Sequence, residues 1–210
     1  MENIKNIILD YGNVLFSIDF TRAQRAFTDL GVPDVERFYG HLAQDDVFDA
    51  FDRGDISAAG FRDRIRDVAS RPDLTDQQID DAWNALLIGV RDGHHDLLKK
   101  LHGQYRVFLL SNNNEIHYQW IVNHLKDVYR LDNYADYFEK DYYSHLMGMR
   151  KPDAVIFRHV LDAHGLVPQE TLFVDDSPQH IATALQLGMS AALLTAPDTL
   201  PELLARRGLL

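Results

Sequence analysis

Cysteine is absent from this chain, which removes disulfides, thiolate metal sites and cysteine nucleophiles together. Long apolar runs are absent too, since no stretch approaches the roughly 20 residues needed to cross a bilayer. The start MENIKNIILDYGN lacks the basic-then-apolar layout of a signal peptide, so a cytoplasmic location with no membrane partner is expected. Basic residues are in short supply, 21 against 32 acidic, for a net charge of −11. No dense Lys/Arg run relieves that deficit, and a nucleic-acid partner is not expected. A small phosphate ester stays open to such a chain, because a nearby lysine and a bound cation outweigh a distant field inside a closed pocket.

What is present is ordinary globular composition, 46% hydrophobic and 25% charged, without repeats or low-complexity segments. At 210 residues the chain suits one core carrying an insertion better than two independent domains. Residues 4–9 form a short β-branched-rich run that stops at Asp10-Tyr11-Gly12-Asn13, the pattern of a buried strand ending in a turn. From about Asp19 to Val90 the pattern turns helical and charge-rich, without good strands, and reads as four or so helices. Ser57 is placed to N-cap one of them, and Thr75 with Gln78 reads as a capping box.

After Val90 helices and strands alternate. Helices are predicted at Asp92–His102, Asn114–Leu125, Asp153–His164 and Pro178–Leu187, with strands at Arg106–Leu110, Thr171–Val174 and Ser190–Leu194. A Tyr-rich connection runs to Tyr143, and Pro178 follows Ser177 as a first-turn proline behind an N-cap serine. Such alternation predicts βαβ units and an α/β fold, a doubly wound, Rossmann-type parallel sheet. The core is expected over 1–16 and 91–210, with an inserted α-helical cap over 17–90.

Ligands of open parallel sheets bind beyond the carboxyl ends of the strands, where four polar signatures fall: Asp10, Ser111-Asn112, Lys151-Pro152 and Asp175-Asp176. Three carboxylates in one crevice need positive compensation, and an all-oxygen set with few carboxylates favours Mg²⁺. Lys151 adds a second positive charge, while Ser111 and Asn112 offer donors for phosphoryl oxygens. Asp10, directly after the first strand, is the candidate nucleophile.

These residues, taken in order, resemble the haloacid dehalogenase-like hydrolases (the HAD superfamily). The resemblance rests on Asp10-Tyr11-Gly12-Asn13-Val14-Leu15, Leu110-Ser111-Asn112, Lys151-Pro152 and Val174-Asp175-Asp176-Ser177, and it covers essentially the whole chain. The first motif and Gly148-Met149-Arg150-Lys151-Pro152 are similar to the branch that includes bacterial α-D-glucose-1-phosphate phosphatases. The resemblance implies Asp10 as nucleophile and Mg²⁺ ligand, the Gly12 carbonyl as a second ligand, and Asp176 with Asp175 completing the metal shell. It further implies that Ser111, Asn112 and Lys151 hold the transferring phosphate, so the expected activity is Mg²⁺-dependent hydrolysis of a small phosphorylated metabolite, a sugar phosphate first. No protein partner is implied.

Gly12 departs from the family pattern, because most phosphatases of this superfamily carry there a second Asp that protonates the leaving oxygen and then activates water. Three readings stay open at that position. A cap residue or a water takes the role, the leaving group needs little protonation, or activity is weak or absent. Asp19 is one substitute, with helix capping as its competing role. Two other functions remain beside the phosphatase: a metal-independent 2-haloacid dehalogenase, and an inactive module that binds a phosphorylated ligand. Arg150 reads as structural, His180 as a residue able to face the crevice, and the other histidines as packed or solvated. Phe16, Phe20, Phe48, Phe51, Trp83 and Leu87 read as core of the cap, some of them walling the pocket.

Overall fold

The structure, a computed structural model, describes residues 3–37, 46–131, 134 and 137–210; positions 38–45 of the expected helical segment lie outside the described residues. In chain order, β1 (Asn6–Leu9) and β2 (Phe16–Ile18) precede α1 (Phe20–Asp29), α2 (Val47–Arg53), α3 (Ala58–Ala69) and α4 (Asp76–Asn84). Then come β3 (Leu87–Val90), α5 (His94–His102), β4 (Arg106–Ser111), α6 (Glu115–His124) with a π turn at Leu125–Tyr129, and β5 (Lys140–Tyr143). The last third holds α7 (Ser144–Met147), α8 (Ala154–His164), a short 3-10 turn at Pro168–Glu170, β6 (Thr171–Asp175), α9 (Pro178–Gln186), β7 (Ser190–Leu193) and α10 (Leu200–Arg206).

The main sheet has the strand order β5-β4-β1-β6-β7, and every pairing in it is parallel. Side chains alternate across a strand, and here both faces are covered. Ile7, Leu9, Val107, Leu109, Leu172 and Val174 pack into the core on one face. Ile8, Phe108, Leu110 and Phe173 pack on the other, against Ile156, Phe157 and Val160 of α8. Burial on both faces explains why these strands read as continuous apolar runs. The chain runs from β1 outward to β4 and β5, then returns to add β6 on the other side of β1, so the order reverses at β1/β6. Asp10 and Asp175 leave the sheet at that switch point, the place where such folds bind ligands.

Between β2 and β3 lie α1 to α4. Their aromatic core stacks Phe51 on Phe61 with centroids 4.3 Å apart and Phe48 on Trp83 at 5.1 Å, as the apolar spacing predicts. Ser57 caps α3 by accepting from Gly60 N, and Thr75 with Gln78 forms the capping box of α4.

The expectation of no strand in this region is corrected by β2 and β3. They pair antiparallel, Phe16 opposite Val90; β2 straddles the expected boundary at 16/17, and β3 ends at Val90, the last residue of the expected helical segment. Each is too short for a period of two to register, and its partner lies on the far side of the helical segment. Strand β5 corrects the reading of the Tyr-rich stretch as a connection, for the same reason of length. Ser177 occupies the N-cap position of α9, but its side chain makes no capping bond.

Candidate active site

Lys151 is the centre of the site. Fully buried, its Nζ lies 2.5 Å from Asp10 Oδ1 and 2.7 Å from Asp175 Oδ2. β1 and β6 are adjacent, and Asp10 N donates to Val174 O at 2.9 Å, which brings the two carboxylates to the same side of the sheet. Burial works against the lysine's charge, yet Asp10 and Asp175 outweigh it and hold the ammonium above its usual range. Asp10 is pushed up to about 7, mainly by burial, with Asp175 and Asp176 adding and Lys151 opposing. Burial also raises Asp175, but Lys151 and His180 more than offset it, so its carboxyl stays below the usual range.

Asp10, Asp175 and Asp176 offer carboxylate oxygens that all lie within 4.8 Å of one another. Asp175 is engaged on both oxygens, by Lys151 on Oδ2 and by Ser177 N at 2.8 Å and His180 Nδ1 at 2.9 Å on Oδ1. His180 thus reaches Asp175 from the first turn of α9. Asn13 holds Asp176 Oδ2 at 2.9 Å from a left-handed backbone position, φ 56°, a conformation asparagine tolerates better than most residues. That tolerance is the local feature that marks Asn13 in the sequence; His180 is marked by its place in the first turn of the helix after Asp176.

Ser111 is buried at the end of β4, with its hydroxyl 3.3 Å from Asn112 O. Asn112 engages Lys151 through its side chain. Nδ2 donates to Lys151 O at 2.8 Å and Oδ1 accepts from Lys151 N at 2.9 Å, so the amide anchors the lysine's backbone. Asp19 is half-buried and caps α1, accepting from Thr21 N, the capping role weighed for it in the sequence.

A cavity of about 320 Å³ runs from Gly12, Ser111 and Asn112 toward the helical segment. Phe16, Phe20, Phe48, Trp83 and Leu87 wall one part of it, so part of that aromatic core also faces the pocket. Asp49, Asp52, Asn114 and Arg150 wall another. Arg150 Nη1 pairs with Asp49 Oδ2 at 2.8 Å, Asn114 Nδ2 donates to Asp52 Oδ1 at 3.2 Å, and Ser144 Oγ bonds Asp52 O at 2.5 Å. These contacts join α2 to the loops beyond β4 and α7. Arg150 is structural in that sense, while also reaching the cavity. Neither Asp49 nor Asp52 carries a local sequence signal, since both sit in an ordinary amphipathic helix.

A family model described as haloacid dehalogenase-like hydrolase matches residues 4–188. The chain is 33% identical over 187 residues, 88% of its length and 89% of the relative's, to D-ribitol-5-phosphate phosphatase of Bacteroides thetaiotaomicron. It is 27% identical to a sesquiterpene phosphatase of Aspergillus oryzae over 91% of this chain and 90% of that one. A solved HAD family enzyme of Bacteroides thetaiotaomicron, in complex with magnesium and inorganic phosphate, superposes with a TM-score of 0.85 at 38% identity, covering 95% of this chain and 98% of that one.

Proposed function

This chain belongs to the haloacid dehalogenase-like hydrolases, and from that premise we propose that it is a Mg²⁺-dependent phosphatase of a small phosphorylated metabolite, a sugar or polyol phosphate. The observation that carries the reading is the cluster of three carboxylates, Asp10, Asp175 and Asp176, two of which pair with one buried lysine. One ammonium does not balance three carboxylates, and Asp175 and Asp176 add to the burial that raises the Asp10 carboxyl. The donor set is all oxygen, which fits a hard divalent cation. Asp10, Asp176, the Gly12 carbonyl and Asp175 beside them would hold Mg²⁺, which would offset the charge of the carboxylates and of the incoming phosphate.

Asp10 then attacks phosphorus in line, the bond to the leaving oxygen breaks, and the phosphoryl group rests on Asp10. Water attacks that phosphorus next, releasing phosphate and restoring the carboxylate. Lys151, held by Asn112 on one side and Asp175 on the other, keeps Asp10 positioned and neutralises phosphoryl oxygens that enter beside it. Ser111 offers its hydroxyl from the neighbouring strand end. A cavity of about 320 Å³ suits a small ligand. Its aromatic wall can stack on the C–H face of a sugar while the polar wall takes hydroxyls, in keeping with the ribitol phosphate substrate in the name of the relative above. The dehalogenase alternative is disfavoured because metal-free chemistry has no use for the third carboxylate.

Phosphate release from a panel of sugar, polyol and nucleotide phosphates, with and without Mg²⁺, tests this reading. Turnover should require the cation and vanish in Asp10→Asn. Undiminished activity in EDTA or in that variant overturns it.

A further inference from the structure

We propose that Asp52, on helix α2, is the acid and base missing at position 12. This rests on the phosphatase reading above, since it supplies the proton that such a reaction needs and Gly12 cannot provide. Asp52 and Gly12 line the same cavity, together with Ser111 and Asn112, so a leaving group extending from a phosphate at Ser111 passes along the wall that carries Asp52.

The carboxyl is held but not consumed. Oδ1 accepts from Asn114 Nδ2 at 3.2 Å, and the Ser144 hydroxyl pins the Asp52 carbonyl. Oδ2 lies 3.9 Å from Arg150 Nη2, beyond hydrogen-bond reach, which leaves that oxygen to carry a proton. Burial, assisted by Asp49, raises the carboxyl to about 6 against the opposing effects of Asn114, Arg150 and Arg53, the range in which a group both gives and takes protons near neutrality.

Other titratable side chains of the cavity fail on geometry. Asp49 is committed to its ion pair with Arg150. His117 uses Nε2 on Trp83 O and Nδ1 on Asn114, and burial holds it neutral by lowering it to about 4. The Tyr11 hydroxyl is paired with Tyr134 at 2.6 Å.

In the first step Asp10 forms its bond to phosphorus, the bond from phosphorus to the leaving oxygen breaks, and the Asp52 proton moves to that oxygen. In the second, water attacks the phosphoryl-Asp10, its proton passes to the Asp52 carboxylate, and the bond from phosphorus to Asp10 breaks. Both carboxyl groups return to their starting states.

The test compares p-nitrophenyl phosphate, whose phenolate departs without protonation, with phenyl phosphate, whose phenol is about as basic as a tyrosine side chain. In Asp52→Asn, kcat/KM for phenyl phosphate should fall about 10²-fold or more, at least ~10-fold further than for p-nitrophenyl phosphate. kcat should fall for both, because hydrolysis of the shared phosphoryl-Asp10 has lost its base. Asp52→Glu should recover part of the phenyl phosphate turnover, and Asp49→Asn should lower both substrates alike. Equal losses in kcat/KM on both substrates in a folded Asp52→Asn, or no loss on either, overturns the assignment. If wild type hydrolyses neither ester nor any phosphate of the wider panel, the phosphatase reading itself falls, and this proposal with it.

Discussion

The side-chain amide of Asn112 grips the main chain of Lys151 from both sides, donating to its carbonyl at 2.8 Å and accepting from its N–H at 2.9 Å. The same amide thus anchors the backbone from which the lysine reaches the carboxylate pair. Asn112→Ala should leave the Lys151 peptide group without these partners, at about 1–3 kcal/mol. The expected result is a thermal midpoint several degrees lower and a kcat reduced about tenfold or more, with KM moved less. A variant equal to wild type in both would refute the anchoring role.

Lys151 sits between Asp10 and Asp175 with no solvent access. Removing one partner of a buried ion pair costs about 3–5 kcal/mol because the remaining charge is left uncompensated. Lys151→Met should therefore unfold at lower temperature than wild type and lose turnover. A cation bound to the same carboxylates would replace part of the lost charge, so millimolar Mg²⁺ should raise the midpoint of the variant more than that of wild type. Thermal melts with Mg²⁺ and with EDTA read this directly; equal shifts would show that the lysine and the metal do not share ligands.

Position 12 has room for the aspartate it lacks. A Cβ there would meet only the Ile18 Cδ1 methyl, at 3.2 Å, the movable end of a side chain, and the backbone is not left-handed. Gly12→Asp is expected to fold with a midpoint lowered by a few degrees at most. Combined with Asp52→Asn, it should restore hydrolysis of phenyl phosphate relative to p-nitrophenyl phosphate. Failure to restore it in a folded double variant would mean that proton transfer is not what Asp52 supplies.

His117, buried under Trp83, should make the fold sensitive to acid. Burial lowers it from 6.5 to about 4, so between those values the unfolded chain binds a proton that the native state refuses. Its contribution is complete above about pH 6.5 and is lost as pH falls toward 4, up to about 3 kcal/mol in all. Asp52, raised to about 6, acts in the opposite sense over part of that window, so the comparison must be between wild type and His117→Phe. Urea unfolding at pH 4.5 and 7 should show a smaller pH dependence in the variant; parallel curves would refute it.

Local chemistry alone determined where the strands end and what stands there. A buried parallel strand is a continuous apolar run, and the polar residue that breaks it is visible in a window of a few residues, so Asp10, Ser111, Asp175 and Asp176 were legible along with the helix caps at Ser57 and Thr75. The doubly wound class followed from the alternation of runs, while the strand order came only with the fold. Tertiary closure decided everything that depends on residues distant in the chain. It turned Asn112 toward Lys151, paired Lys151 with Asp10 and Asp175, and joined β2 to β3 across the helical segment. It also carried Asp52 to a cavity shared with Gly12. Period and propensity describe neighbours along a chain; they hold no information about which face of one helix meets which loop of another, and that meeting is what completes this site.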